Sequence, residues 1–117
     1  MKILFDHCVP KPFRRHLPAH QVRTTREMRW ELLRNGALMS VAAKAFEVFL
    51  TVDKKIKSEH NLRKLPLPVI VLDTFDNKPE SISPFAPFVE RELSNLRPGE
   101  LVEIHPDGSV TRHGAPH

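Results

Sequence analysis

Val48-Phe49-Leu50-Thr51-Val52-Asp53-Lys54-Lys55-Ile56, or VFLTVDKKI, is the stretch on which the reading of the whole chain turns. Four of its first five residues are β-branched or aromatic, the composition of a short buried strand, and the run stops at Asp53 before two lysines. A carboxylate therefore closes a strand at its C-terminal end, the edge along which open parallel α/β sheets bind ligands. The chain opens on the same pattern: Lys2-Ile3-Leu4-Phe5 runs into Asp6 and is closed by His7-Cys8-Val9-Pro10. It recurs at Pro68-Val69-Ile70-Val71-Leu72, a continuous apolar run ending at Asp73.

The segments between these strands supply helices. Ala37 to Phe46 is rich in helix formers with apolar residues on most sides, which predicts a mostly buried helix leading into VFLTVD in the order of a βαβ crossover. Phe13 and Leu17 have the spacing of a short amphipathic helix ended by Pro18. Gln21 to Thr25 reads as a short strand, and Arg26 to Trp30 as helical or irregular. Lys54 to Lys64 is polar and helix-compatible, and Thr74 to Ser83 reads as loop. Phe85 to Leu96 predicts an amphipathic helix with Phe85, Phe88, Val89, Leu93 and Leu96 on its apolar face. Leu101 to Ile104 and Ser109 to Thr111 flank Pro106-Asp107-Gly108 as a β-hairpin. Strands alternating with helices predict an α/β fold, a three-layer α/β/α sandwich with a mainly parallel sheet plus a C-terminal β-hairpin. It forms a single domain over residues 1–112, with 113–117 as a flexible C-terminal end. If the three acid-ended strands are parallel neighbours, Asp6, Asp53 and Asp73 gather at one edge.

At 117 residues the chain has room for one core. No apolar run approaches the ~20 residues a membrane-spanning helix needs, and the N-terminus lacks the apolar core of a secretion signal, so a cytoplasmic protein without a membrane partner is expected. Cys8 is the only cysteine, which excludes an internal disulfide and a multi-cysteine zinc site. Residues 1–64 hold 14 Lys and Arg against 6 Asp and Glu, whereas residues 65–117 hold 4 against 8. The basic half contains Asp6 and Asp53. A positive surround with an acidic centre suits a polyanion such as RNA, although a solvated basic face has the same composition.

Carboxylates clustered at that edge are what a Mg²⁺- or Mn²⁺-dependent nuclease needs, because hard divalent ions take oxygen ligands and two aspartates suffice to hold one ion. Asp53 is equally well placed as the N-cap of a helix starting at Lys54, Asp6 as a turn residue ahead of Pro10, and Asp73 as the head of a polar loop. Thr51 points to the same side of its strand as Asp53 and can hydrogen-bond a metal-bound water or a phosphate. Lys54 and Lys55 suit phosphate contact, or simply face solvent. The histidines show neither HxH nor HExxH spacing, and no Gly-rich phosphate loop or GxSxG is present.

MKILFDHCVP, Trp30 with Asn35-Gly36-Ala37-Leu38, LTVDKKI, His60-Asn61-Leu62 and PVIVL, in this order over residues 1 to about 96, resemble the bacterial PIN-like domains similar to the toxin ribonucleases of VapBC toxin-antitoxin pairs. The resemblance implies a metal-dependent ribonuclease, the toxin half of such a pair, with Asp6 and Asp53 as ligands to Mg²⁺ or Mn²⁺ and Thr51 assisting. It implies RNA as substrate, contacted by Asn35, Lys54, Lys55 and Asn61, and an antitoxin protein and a second copy of the chain as partners. Relatives commonly carry an acid just after the Asn-Gly pair, where this chain has Ala37. Glu31 is the nearest substitute for the catalytic set, or more simply a solvent-facing salt-bridge partner for Arg34 or Arg29, and a helix over residues 27–35 would align Glu27, Glu31 and Asn35. The alternative reading, which Ala37 favours, is a catalytically inactive PIN-like module that binds nucleic acid or a partner protein.

Overall fold

In the computed structural model, which describes residues 1–56 and 65–114, the acid-ended runs are strands of one six-stranded sheet. These are β1 (Lys2–Phe5), β2 (Gln21–Thr24), β3 (Val48–Thr51), β4 (Val69–Leu72), β5 (Leu101–Ile104) and β6 (Val110–His113). The spatial order is β2-β1-β3-β4-β5-β6, and only the last pair is antiparallel. The connecting elements are a 3-10 helix (Lys11–His16), α1 (Asn35–Ala45), α2 (Pro79–Ile82), a 3-10 turn (Ser83–Phe85) and α3 (Ala86–Leu93). This is a mixed α/β protein with a mostly parallel sheet, as the alternation of apolar runs and helix formers requires.

Every residue of β3, β4 and β5 is buried, the state for which continuous apolar runs are suited. Their side chains alternate between two cores. Ile3, Phe5, Val48, Leu50, Ile70, Leu72 and Ile104 pack with Phe13, Ile82, Phe85, Val89 and Leu93. Leu4, Phe49, Val69, Val71 and Leu101 pack with Leu38, Met39 and Ala42 of α1. Asp6 and Thr51 follow Leu4 and Phe49 at two-residue spacing, so they stand on the α1 face of the sheet.

Several segments differ from expectation. α1 begins at Asn35 and buries only the stripe Leu38, Met39 and Ala42, while Ala37, Ser40 and Lys44 are exposed; the sheet covers it from one side. Pro79 opens a helical turn within the segment expected as loop, since its fixed φ is pre-set for a first helical position. The helix expected over residues 85–96 is 3-10 through Phe85 and α-helical only to Leu93. β5 pairs parallel to β4, so the hairpin extends the main sheet, and His113, expected to be frayed, belongs to β6. Residues 115–117 and most of the 54–64 segment lie outside the described residues.

Residues 27–35 are not a helix. Thr24 and Glu27 form a capping box: the Glu27 amide donates to Thr24 Oγ1 at 3.1 Å, and the Thr24 amide donates to Glu27 Oε1 at 2.9 Å. The turn is then closed at once. Trp30 N–H donates to Thr25 O at 2.8 Å and Arg29 N–H to Arg26 O at 3.0 Å, with Arg29 at φ 62, which is the Schellman pattern that ends helices. One capped turn therefore takes the chain off β2, and it fixes the position of Thr25.

Candidate functional site

β1 pairs with β2 on one side and β3 on the other, so the strand order reverses there, and the crevice outside the carboxyl ends of β1 and β3 is a topological switch point. The ladder runs one residue past the strands. Asp6 N–H donates to Leu50 O at 2.9 Å and Thr25 N–H to Phe5 O at 3.0 Å. Thr25, Asp6 and Thr51 consequently form a row across three adjacent parallel strands.

Asp6 is 9% exposed, and its carboxylate is held from several sides. Thr51, fully buried, donates its hydroxyl to Asp6 Oδ2 at 2.7 Å. Asp6 Oδ1 accepts the His7 amide at 2.8 Å and lies 3.0 Å from His7 Nδ1. Cys8 Sγ is 3.6 Å from Oδ2 and 3.4 Å from Thr51 Oγ1. Burial, and after it the negative charge of Asp6, raises the pKa of Cys8, which keeps it a protonated donor and not a thiolate. A carboxylate offers about four lone-pair sites, so these four contacts fix Asp6 in place, and a ligand to it would take over the place of the His7 ring or the Cys8 thiol.

Thr51 Oγ1 also accepts the Asp53 amide at 3.0 Å, and Asp53 Oδ1 accepts the Lys55 amide at 3.0 Å. Asp53 is thus turned at the exit of β3 toward a cavity of about 80 Å³ lined by Asp6, Asp53, Glu31, His7, Thr25 and Trp30. Thr25 is 1% exposed and its hydroxyl has no hydrogen-bond partner among the described residues. A buried hydroxyl without a partner is costly, and the residue that carries it lines this cavity. A cleft of about 480 Å³ adjoins, sharing Asp6, His7 and Glu31 and adding Lys11, Thr24 and Arg26. The acidic centre therefore adjoins a wider cleft that also carries Arg26 and Lys11, the latter 3.5 Å from Glu27 Oε2.

The other residues selected from sequence are distributed as follows. Glu31 is exposed and lines both spaces, whereas Glu27 points away, into the capping box and an ion pair with Arg14 at 3.0 Å. Lys54 is exposed and its ammonium pairs with Asp73 Oδ1 at 2.5 Å, on the β4 side of the edge. Lys55 is exposed beside Asp53. Asn35 starts α1, its side chain outside the described residues, and Asn61 lies outside them altogether. Lys11, Arg26, Thr25 and Cys8 were missed. Cys8 and Lys11 follow Asp6 closely in the sequence, but Thr25 and Arg26 reach the site only through strand order and the capped turn.

Among the described residues, the ligand-type trio whose donor atoms all lie within 4.8 Å of one another is Asp73, Glu103 and His105, which could hold a metal ion. No helix among the described residues is long and apolar enough to cross a membrane. Fold and site thus define a mostly parallel α/β protein with an acidic pocket at its switch point. Comparison with protein-family models, curated proteins and solved structures finds no match for the chain.

Proposed function

We propose that this protein is a PIN-like, metal-dependent ribonuclease with the α/β/α layering of that fold, working as the toxin of a toxin-antitoxin pair. The observation that carries the reading is the switch-point pocket, which Asp6, Asp53, Glu31 and Thr25 line beside a groove that includes Lys11 and Arg26. The donor set is all oxygen, which suits a hard divalent ion. Asp6 and Asp53 would hold Mg²⁺ or Mn²⁺, which when bound orients water and neutralises charge at a phosphate.

In this reading Thr51 and the His7 amide keep the Asp6 carboxylate aimed at the pocket, so that little reorganisation accompanies reaction. Lys11 and Arg26 hold the RNA backbone, and Glu31 supplies an acid from the facing wall. An antitoxin protein, a second copy of the chain and a cytoplasmic location belong to the same reading.

The test is incubation of the purified protein with single-stranded RNA and MnCl₂, beside Asp6→Asn and Asp53→Asn. Cleavage by the native chain and its loss in both variants is the expected result. Cleavage that survives both substitutions overturns the site. An inactive PIN-like module that binds nucleic acid or a partner protein is the second reading, favoured by Ala37, which stands exposed in the first turn of α1 where an acid is expected. RNA retention without cleavage under Mg²⁺ or Mn²⁺ would establish it.

A further inference from the structure

The same edge of the sheet carries a second constellation, over β4, β5 and β6. Val71 is in register with Glu103, and the ladder continues with Asp73 N–H donating to Ile104 O at 2.8 Å. Asp73, Glu103 and His105 therefore project from one face of two adjacent strands. His105 Nδ1 lies 2.9 Å from Asp73 Oδ2, and one donor atom from each of the three residues lies within 4.8 Å of the others. Glu103 is only 7% exposed. On β6, His113 Nε2 is a buried nitrogen without a hydrogen-bond partner among the described residues, 3.7 Å from Glu103 Oε1. Two imidazoles and two carboxylates thus converge from three strands.

We infer that Asp73, Glu103 and His105 bind a divalent transition ion of borderline softness, Zn²⁺ before Mg²⁺, with His113 as the nearest further nitrogen donor. Carboxylates alone suit magnesium or calcium, but an imidazole in the set shifts preference to zinc and its neighbours. Tetrahedral zinc bound at about 2.0–2.1 Å needs donor atoms roughly 3.3 Å apart, a spacing that small side-chain adjustments reach from the present arrangement. His105 already has the outer partner such a ligand uses. Its Nε2 is 2.7 Å from Thr111 Oγ1, and a hydroxyl can accept as well as donate. The ring can therefore carry its proton on Nε2, hydrogen-bonded to Thr111, and turn the Nδ1 lone pair to the ion.

Lys54 acts as the competitor. Its ammonium holds Asp73 Oδ1 at 2.5 Å and supplies positive charge at the mouth of the site, so an ion must share or displace it. A bound ion would join β4 and β5 directly and brace β6 through Thr111 and His113. The site is separate from the Asp6 pocket and does not depend on ribonuclease activity.

Calorimetric titration and thermal unfolding of the full chain with ZnCl₂ or MgCl₂ alone test the inference. Zn²⁺ at a hundredfold excess over its dissociation constant is expected to raise the midpoint by roughly 10 °C, with a much smaller shift for Mg²⁺. His105→Ala and Asp73→Asn should each weaken Zn²⁺ binding at least about tenfold. Asp6→Asn should leave it intact, and Lys54→Met should tighten it. Circular dichroism confirms that each variant is folded, and either His105→Ala or Asp73→Asn suffices if the other is not. Unchanged Zn²⁺ binding in a folded ligand variant, no Zn²⁺ binding by the native chain, or an equal preference for Mg²⁺ in Asp6→Asn, where the Asp6 pocket no longer contributes, would overturn the assignment.

Discussion

On either side of the boundary between β3 and β4, the sheet holds its acids in different ways. Beside β5 and β6, the buried Glu92 and Glu100 are paired through one guanidinium, Arg112 reaching Glu92 Oε1 and Glu100 Oε1, both at 2.6 Å. Over β2, β1 and β3, Asp6 is held by a hydroxyl, an amide and the exposed His7 ring, and Thr25 keeps a buried hydroxyl with no partner. Ion pairing around buried acids is what a structural region needs, because an uncompensated buried charge costs several kcal/mol. A fixed acid beside unsatisfied polarity and open volume is instead the mark of a place reserved for a ligand.

Substitutions on the two sides should therefore behave differently. Arg112→Met removes the cation shared by Glu92 and Glu100, which are 4% and 3% exposed, and should cost about 3 kcal/mol in urea unfolding. A loss under 1 kcal/mol would break the structural reading of that half. Gly108→Ala should cost about 1–3 kcal/mol by the same measurement. Gly108 has φ 88 in the hairpin turn, and a Cβ there would lie 2.7 Å from Phe88 Cε1, so both backbone and ring oppose it.

On the pocket side, Glu27→Gln keeps the capping-box acceptor but loses the charge facing Arg14 and Lys11, and should cost up to about 1 kcal/mol at neutral pH. The Thr24 amide first, and then Arg14, hold the Glu27 pKa down from 4.5 to about 2. Its folded-state pKa is depressed, so its contribution is complete above the ordinary glutamate range and disappears as pH falls through about 2. Acid unfolding of the native chain and of Glu27→Gln should accordingly converge over that window, and curves that stay parallel would refute the link. Smallest of all is Thr25→Val, which deletes an unpartnered hydroxyl at nearly constant shape. Stability should be unchanged or higher by about 1 kcal/mol, while RNA cleavage falls. A marked destabilisation would mean that Thr25 is structural after all.

Much of the sheet was legible in the chain because three of its strands, β1, β3 and β4, are short apolar runs that each stop at an acid. A strand buried on both faces has little choice of composition, so VFLTVD and PVIVLD announce themselves. The capped turn after β2 was legible in principle, since Thr24 and Glu27 have capping-box spacing, but it reads as a helix until Arg29 is seen in the left-handed region. Glu103 was hidden inside LVEI, where a single acid looks like the solvent face of a hairpin. It is buried because β5 joins β4 in the main sheet.

The sequence by itself determined that strands and helices alternate, that Asp6, Asp53 and Asp73 end strands, and that the first half is basic. Tertiary structure alone decided which acids share a space. The order β2-β1-β3-β4-β5-β6 puts Thr25 and Thr51 on either side of Asp6, and it sends Lys54 to Asp73 and Asp73 to His105 and Glu103. Composition and periodicity act over a few neighbouring residues, whereas these meetings join residues 19 to 45 positions apart through strand register. Local pattern specifies the strands, and only the packed sheet specifies their neighbours.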